Sequence, residues 1–177
     1  MYSRVRQSDY GLVMAYTSSQ IVQAVLIPSG AIKQVNTQTG AVATGTTTIP
    51  FDDTIPQNTE GTEFMTLAIT PTSATNILFI QVDAICSYSI PNSMTAALFQ
   101  DSTADALAVA SEYQSTSTGI TTISFNHTMT AGTTSSTTFK VRIGGETAGT
   151  LTFNGIVAGR KMGGVFASSI TITEYVV

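Results

Sequence analysis

The chain has 177 residues, enough for one ordinary domain with an appendage and too few for two full-sized ones. A formal net charge of −4 argues against a nucleic-acid binder, whose footprint is a basic stripe. Only 10% of the residues are charged while 42% are hydrophobic, so Thr and Ser must coat much of the surface.

Residues 1–29 read as an N-terminal anchoring arm. Arg4 and Arg6 stand against Asp9 alone, and the rest of the chain is acidic, so the arm suits an acidic neighbour. Tyr10 and Tyr16 border an apolar stretch at 11–16, and a second stretch covers 21–27. Thr17-Ser18-Ser19-Gln20 divides them, and no small-residue cleavage site follows, so the reading is a retained arm and not a signal peptide. No run approaches the roughly 18 apolar residues of a membrane span. Pro28-Ser29-Gly30 then marks the boundary with a body over 30–177.

From Ala31 the apolar period is two. Met65, Leu67 and Ile69 alternate with Phe64, Thr66 and Ala68. Leu78, Ile80, Val82, Ala84 and Cys86 alternate with Phe79, Gln81, Asp83 and Ile85. Phe139, Val141 and Ile143, then Leu151 and Phe153, then Ile170 and Ile172 repeat the pattern, and further strands are expected at 31–36, 94–100 and 119–128. Residues 104–112 suit a short helix or a strand equally. Pro50, Pro56-Gln57-Asn58, Pro71-Thr72-Ser73, Pro91-Asn92 and Ala131-Gly132 supply turns, and Gly144-Gly145 and Gly163-Gly164 read as hairpin turns. The expected fold is all-β, an antiparallel β-sandwich of jelly-roll-like form with an N-terminal arm.

The second strand face carries apolar residues that a sandwich does not need. Ile77, Phe79 and Ile85 share it with Gln81 and Asp83, and Phe99 opposes Met94, Ala96 and Leu98. Either a loop covers them or they form an interface between copies of the chain.

Chemistry-bearing residues are few. Cys86 is the only cysteine, in an apolar run where a buried thiol is expected. His127, the only histidine, follows Ile123 and Phe125 on an apolar face, and no Gly-x-Ser-x-Gly elbow accompanies it. Asp52-Asp53 and Asp101…Asp105 lack the pattern of a calcium loop and read as turn residues. Tryptophan is absent, leaving Tyr88 and Tyr113 as the aromatic platforms for a sugar. Asn126-His127-Thr128 fits a glycosylation sequon, a match common by chance. The expectation is a non-enzymatic protein with no catalytic, metal-binding or cofactor-binding residues.

Gly30-Ala31-Ile32-Lys33-Gln34-Val35, the run from Leu67-Ala68-Ile69-Thr70-Pro71-Thr72 to Ile77-Leu78, Ala97-Leu98-Phe99-Gln100-Asp101, Thr137-Thr138-Phe139-Lys140-Val141-Arg142 and Ser169-Ile170-Thr171-Ile172-Thr173-Glu174 together resemble a tail-fibre module of tailed bacteriophages. The resemblance implies a homotrimeric β-sandwich on the virion surface, assembled in the bacterial cytoplasm, with no catalytic residues to carry over. Ile77, Phe79, Ile85 and Phe99 would then form the trimer interface. Arg4, Arg6, Tyr10 and Tyr16 would grip a tail, baseplate or major capsid protein. With a short arm and no shaft, such a chain would be a short tail fibre or fibre tip, in contact with a host surface glycan, or alternatively a trimeric capsid decoration protein. A monomeric carbohydrate-binding module is the more distant alternative.

Overall fold

A computed structural model describes residues 31–177, so the expectations on Arg4, Arg6, Tyr10 and Tyr16 lie outside the described residues. In chain order the strands are β1 (Ala31–Thr39), β2 (Ala43–Gly45), β3 (Thr62–Ile69), β4 (Ile77–Tyr88), β5 (Asn92–Gln100) and β6 (Ala108–Gln114). They continue with β7 (Ile120–Thr130), β8 (Thr137–Gly145), β9 (Leu151–Phe153), β10 (Gly155–Ile156), β11 (Gly159–Arg160) and β12 (Ser168–Tyr175), and a single 3-10 turn covers Met162–Gly164. Residues 104–112 thus enter β6 without a helix.

Two antiparallel sheets face each other. One runs β1-β12-β4-β7, with β9 and then β2 continuing the β12 side; the other runs β3-β8-β5-β6. Ranked along the chain, the eight long strands stand as first, eighth, third and sixth in one sheet and second, seventh, fourth and fifth in the other. That interleaving is the jelly roll. β6 packs beside β7, and β1 beside β3, where the sheets approach along their edges.

The core follows from the alternation. Leu78, Ile80, Val82, Ala84, Ile123, Ile170 and Ile172 project from one sheet onto Met94, Leu98, Phe139, Val141 and Ile143 of the other, all of them fully buried. Each such side chain contributes about 1.5–3 kcal/mol relative to exposure. Phe64 departs from the pattern read in the sequence. A register shift between Glu63 and Met65 swings Phe64 onto the core, where its ring stacks on Phe153 at 4.9 Å.

Strand β4 binds β7 along one whole edge, while its other edge is shared by β12 over 77–83 and β9 over 86–88. Between those partners Ile85 N–H donates to Ser168 Oγ at 2.8 Å, and Asn154 N–H donates to Ile85 O at 2.9 Å. Ser168 Oγ donates in turn to Asn154 Oδ1, and Asn154 Nδ2 reaches Thr39 O at 2.6 Å. Asn154 holds φ 55, a left-handed conformation that Asn tolerates better than most residues.

Gly144 and Gly145 are not a hairpin turn; they end β8 and are buried. The backbone of residues 47–49 crosses above Gly144, where a Cβ would stand 2.7 Å from Thr47 O, and Ile49 N–H donates to Gly145 O. This loop covers part of the outer face of the second sheet and forms a small separate core of Ile49, Ala97 and Phe99. Arg142 fastens its far end by donating from Nε to Glu60 O and from Nη2 to Gly61 O.

Glu174, near the end of β12, fastens the loop between β3 and β4. Its Oε1 accepts from Thr72 N–H at 2.7 Å, Thr72 Oγ1 at 2.8 Å and Asn76 Nδ2 at 2.7 Å, and the residue is fully buried. Burial works against the charged form, but the hydrogen bonds from Asn76, Thr72 and Ser73 outweigh it and hold the carboxyl below its ordinary value. The carboxylate therefore stabilises the fold fully above the ordinary Glu pKa of about 4.3, and that contribution is lost as pH falls through the depressed folded value. Glu174→Ala is expected to cost about 3 kcal/mol in urea unfolding at pH 7, because four donors lose one charged acceptor. The gap between wild type and Glu174→Gln should narrow as the pH is lowered from 6 towards 3; a gap independent of pH would show that the charge contributes nothing.

Candidate functional site: the outer face of the long-strand sheet

Register places each outward side chain of β4 in a row with its neighbours. Ile77 lies between Tyr175 and Thr130, Phe79 between Thr173 and Thr128, Gln81 between Thr171 and Asn126, and Asp83 between Ser169 and Ser124. Ile85 stands beside Thr122, and Ser87 beside Ile120. β1 adds Asn36 next to Thr171 and Gln38 next to Ser169. Along the strands of this face the described residues carry hydroxyls, amides and a few apolar groups, with one charge, Asp83; Thr173 and Ser87 within these rows are buried.

Hydrogen bonds tie the rows together laterally. Asn36 Nδ2 donates to Thr171 Oγ1 at 2.7 Å, and Ser124 Oγ donates to Asp83 Oδ1 at 2.7 Å. Ile77, Phe79 and Ile85 are half-buried within the chain, so part of each faces outward. Phe99 is different. It is 1% exposed, beneath Ile49 and Ala106, so the loop over the second sheet uses up its apolar surface and it has no place in an interface between chains.

The other residues singled out in the sequence scatter over the molecule. His127 sits opposite Ile80 on the inner face of β7, and burial lowers its pKa, favouring the neutral ring. Tyr88 is no sugar platform, because it is 1% exposed and its hydroxyl donates to Thr147 O at 2.7 Å. Tyr113 is exposed on β6. Asp52 accepts from Thr54 in a local turn, Asp105 accepts from Gln57 Nε2, and Asp101 accepts from Thr137 Oγ1 and Thr138 N–H at the start of β8. Asn126 is exposed on the outer face. Among the described residues no three His, Cys, Asp or Glu side chains gather as metal ligands.

Concavities open elsewhere among the described residues, and two of them gather side chains of interest. One, of about 250 Å3, lies beside Tyr88 and is lined by Ser89, Thr118, Thr152 and the exposed Val157. The other, of about 290 Å3, gathers Lys140 and Arg142 with Glu63, Asp101 and Asn58 on the second sheet. Sequence reasoning missed both, since their walls come from segments far apart in the chain. The Lys140–Arg142 alternation was visible, but nothing showed that the loop at 58–61 would meet it.

Cys86 is fully buried, 3.9 Å from Met94 Sδ, and burial pushes its thiol up to about 12. Ellman's reagent should therefore leave the native protein unmodified and titrate one thiol once urea unfolds it. Reaction of the native protein within minutes would contradict this burial.

Three comparisons bear on relationship. No curated protein matches the chain. Among solved structures, Eiger TNF from S. frugiperda is similar at 7% identity and a TM-score of 0.47, over 81% of this chain and 93% of that one. The VP2 subviral particle of infectious bursal disease virus gives 10% and 0.35, over 83% of this chain and 39% of that one. Tailspike protein 4 of bacteriophage CBA120 gives 15% and 0.30, over 71% and 20%. The family model described as the Pgp3 C-terminal domain matches residues 32–177, from the second residue of β1 to the end of the chain. The chain belongs to the Pgp3 C-terminal domain family.

Proposed function

We propose that this protein is a non-enzymatic structural module that works as a homotrimer, with the outer face of the β1-β12-β4-β7 sheet as its subunit contact. The observation that carries the reading is the composition of that face: half-buried Ile77, Phe79 and Ile85 set among Thr, Ser, Asn and Gln with a single carboxylate. Close to a threefold axis residues face their own copies, so a charged group there is repelled by those copies. Hydroxyls and amides both donate and accept, and they pair with their own copies in many arrangements. The membership of a C-terminal domain family and the sandwich architecture agree with a displayed domain carried by another segment.

The setting we favour is a tailed-bacteriophage particle, where residues 1–29 grip a tail or baseplate protein and the sandwich points outward as a short fibre or fibre tip. The segments of β1, β3, β4, β8 and β12 that resemble a fibre module support this setting. A capsid decoration protein shares the trimer and differs in copy number, so quantifying the protein per particle separates the two: tens or fewer for a fibre, hundreds for decoration.

Light scattering should give a mass three times that of the 18.5 kDa chain. Phe79→Asp, and Thr128→Asp at the exposed position beside it, should yield monomers with an unchanged far-ultraviolet circular dichroism spectrum. A wild-type monomer, or trimers unaffected by both substitutions, would overturn the assignment of this face.

A further inference from the structure

The segment from β10 to the 3-10 turn combines features found together nowhere else among the described residues. Val157, Met162 and Val165 are 74%, 72% and 87% exposed, more than any other large hydrophobic residue apart from the terminal Val177. Between them stand Arg160 and Lys161, both exposed and neither in an ion pair among the described residues. No Asp or Glu occurs between Glu146 and Glu174, although the whole chain is acidic.

The backbone holds these residues out at a conformational cost. Val157 and Ala158 form the two-residue turn of the β10–β11 hairpin with φ of 50 and 56, and Met162 has φ 50. Such a turn favours Asn-Gly, and a β-branched residue in the left-handed region is a marked outlier. Strain of this kind persists only where the surroundings impose it. Here Ser87 Oγ donates to Gly155 O at 2.9 Å, Ala158 N–H donates to Thr152 Oγ1 at 3.2 Å, and Gly40 packs so closely on Gly164 that a Cβ there would meet its carbonyl oxygen. The loop is fixed to β4, β9 and the end of β1, with its apolar side chains turned to solvent.

We infer that this loop is a docking tip for an anionic lipid bilayer surface, with Arg160 and Lys161 at the headgroups and Val157, Met162 and Val165 in the interface beneath them. Apolar side chains raised singly on tight turns offer no flat patch for a protein partner, yet each can enter a fluid interface. Two cations that form no ion pair among the described residues complement a negative leaflet, where each basic residue near the surface adds to attraction. Such a loop meets a bilayer without any long apolar run.

The test is co-sedimentation of the full chain with vesicles of phosphatidylethanolamine and phosphatidylglycerol, against vesicles of phosphatidylcholine alone. Binding is expected to the anionic vesicles only and should weaken at high salt. Arg160→Glu with Lys161→Glu should reduce it about 30-fold. Val157→Ser with Met162→Ser and Val165→Ser should reduce it about tenfold or more while leaving the circular dichroism spectrum unchanged. The protein contains no Trp, so Val165→Trp supplies a clean reporter whose emission should shift to the blue on anionic vesicles. No binding to anionic vesicles, equal binding to neutral ones, binding unaffected by either set of substitutions, or capture by polyglutamate in place of vesicles would each overturn the inference.

Discussion

Strand β4 runs twelve residues from Ile77 to Tyr88 and lies inside its sheet, so every backbone donor and acceptor along it needs a partner. β7 satisfies one edge over its length, but no single strand satisfies the other. β12 leaves after Asp83 and β9 begins at Cys86, and the gap falls in the buried middle of the molecule. Ser168 and Asn154, both fully buried, close it with side chains in place of a strand. Asn154 follows β9 and Ser168 begins β12, so the segment joining those two strands leaves and re-enters the sheet at the step in β4. The close of β1 follows from the same point, since Asn154 reaches Thr39 O and Ala41 O.

A second layer of order comes from side chains that bind loop backbone. Gln114 is 4% exposed; its Oε1 accepts from Tyr88 N–H, and its Nε2 donates to Tyr88 O and Thr116 O. Glu174 holds the loop at 72–76, and Arg142 the loop end at 60–61. At three places, then, a polar side chain on a rigid strand satisfies backbone groups that a loop cannot satisfy alone. Loops fixed this way can carry residues in costly conformations without losing their shape. Thr118, with φ 60 beside the loop that Gln114 holds, is one such residue, and Val157 and Ala158, on the loop that the Ser87 and Thr152 hydroxyls hold, are two more.

The two surfaces given roles above differ in physical character. The outer face of the long-strand sheet is nearly free of charge and rich in groups that pair with their own kind, which favours self-association. The tip at 157–165 is cationic and apolar and projects from the body, which favours a surface unlike the protein itself. Part of the remaining outward sheet face is already occupied by the chain's own loop, as the burial of Phe99 shows. One sandwich thus uses its faces in three different ways.

The sequence by itself determined the all-β class, the boundaries of the long strands to within a few residues, and which face of β4, β7, β8 and β12 turns inward, because period-two alternation is a local property of adjacent residues. It also marked Ile77, Phe79, Ile85 and Phe99 as surplus to a simple core. What covers each of them depends on segments distant in the chain, and no local pattern reports that. Only the folded molecule places Ile49 over Phe99, exposes part of Phe79, brings Gly144 beneath residues 47–49 and turns Phe64 inward at a bulge. The strained tip was equally hidden: a Val-Ala pair carries no turn signal, and its left-handed backbone shows only in the folded molecule.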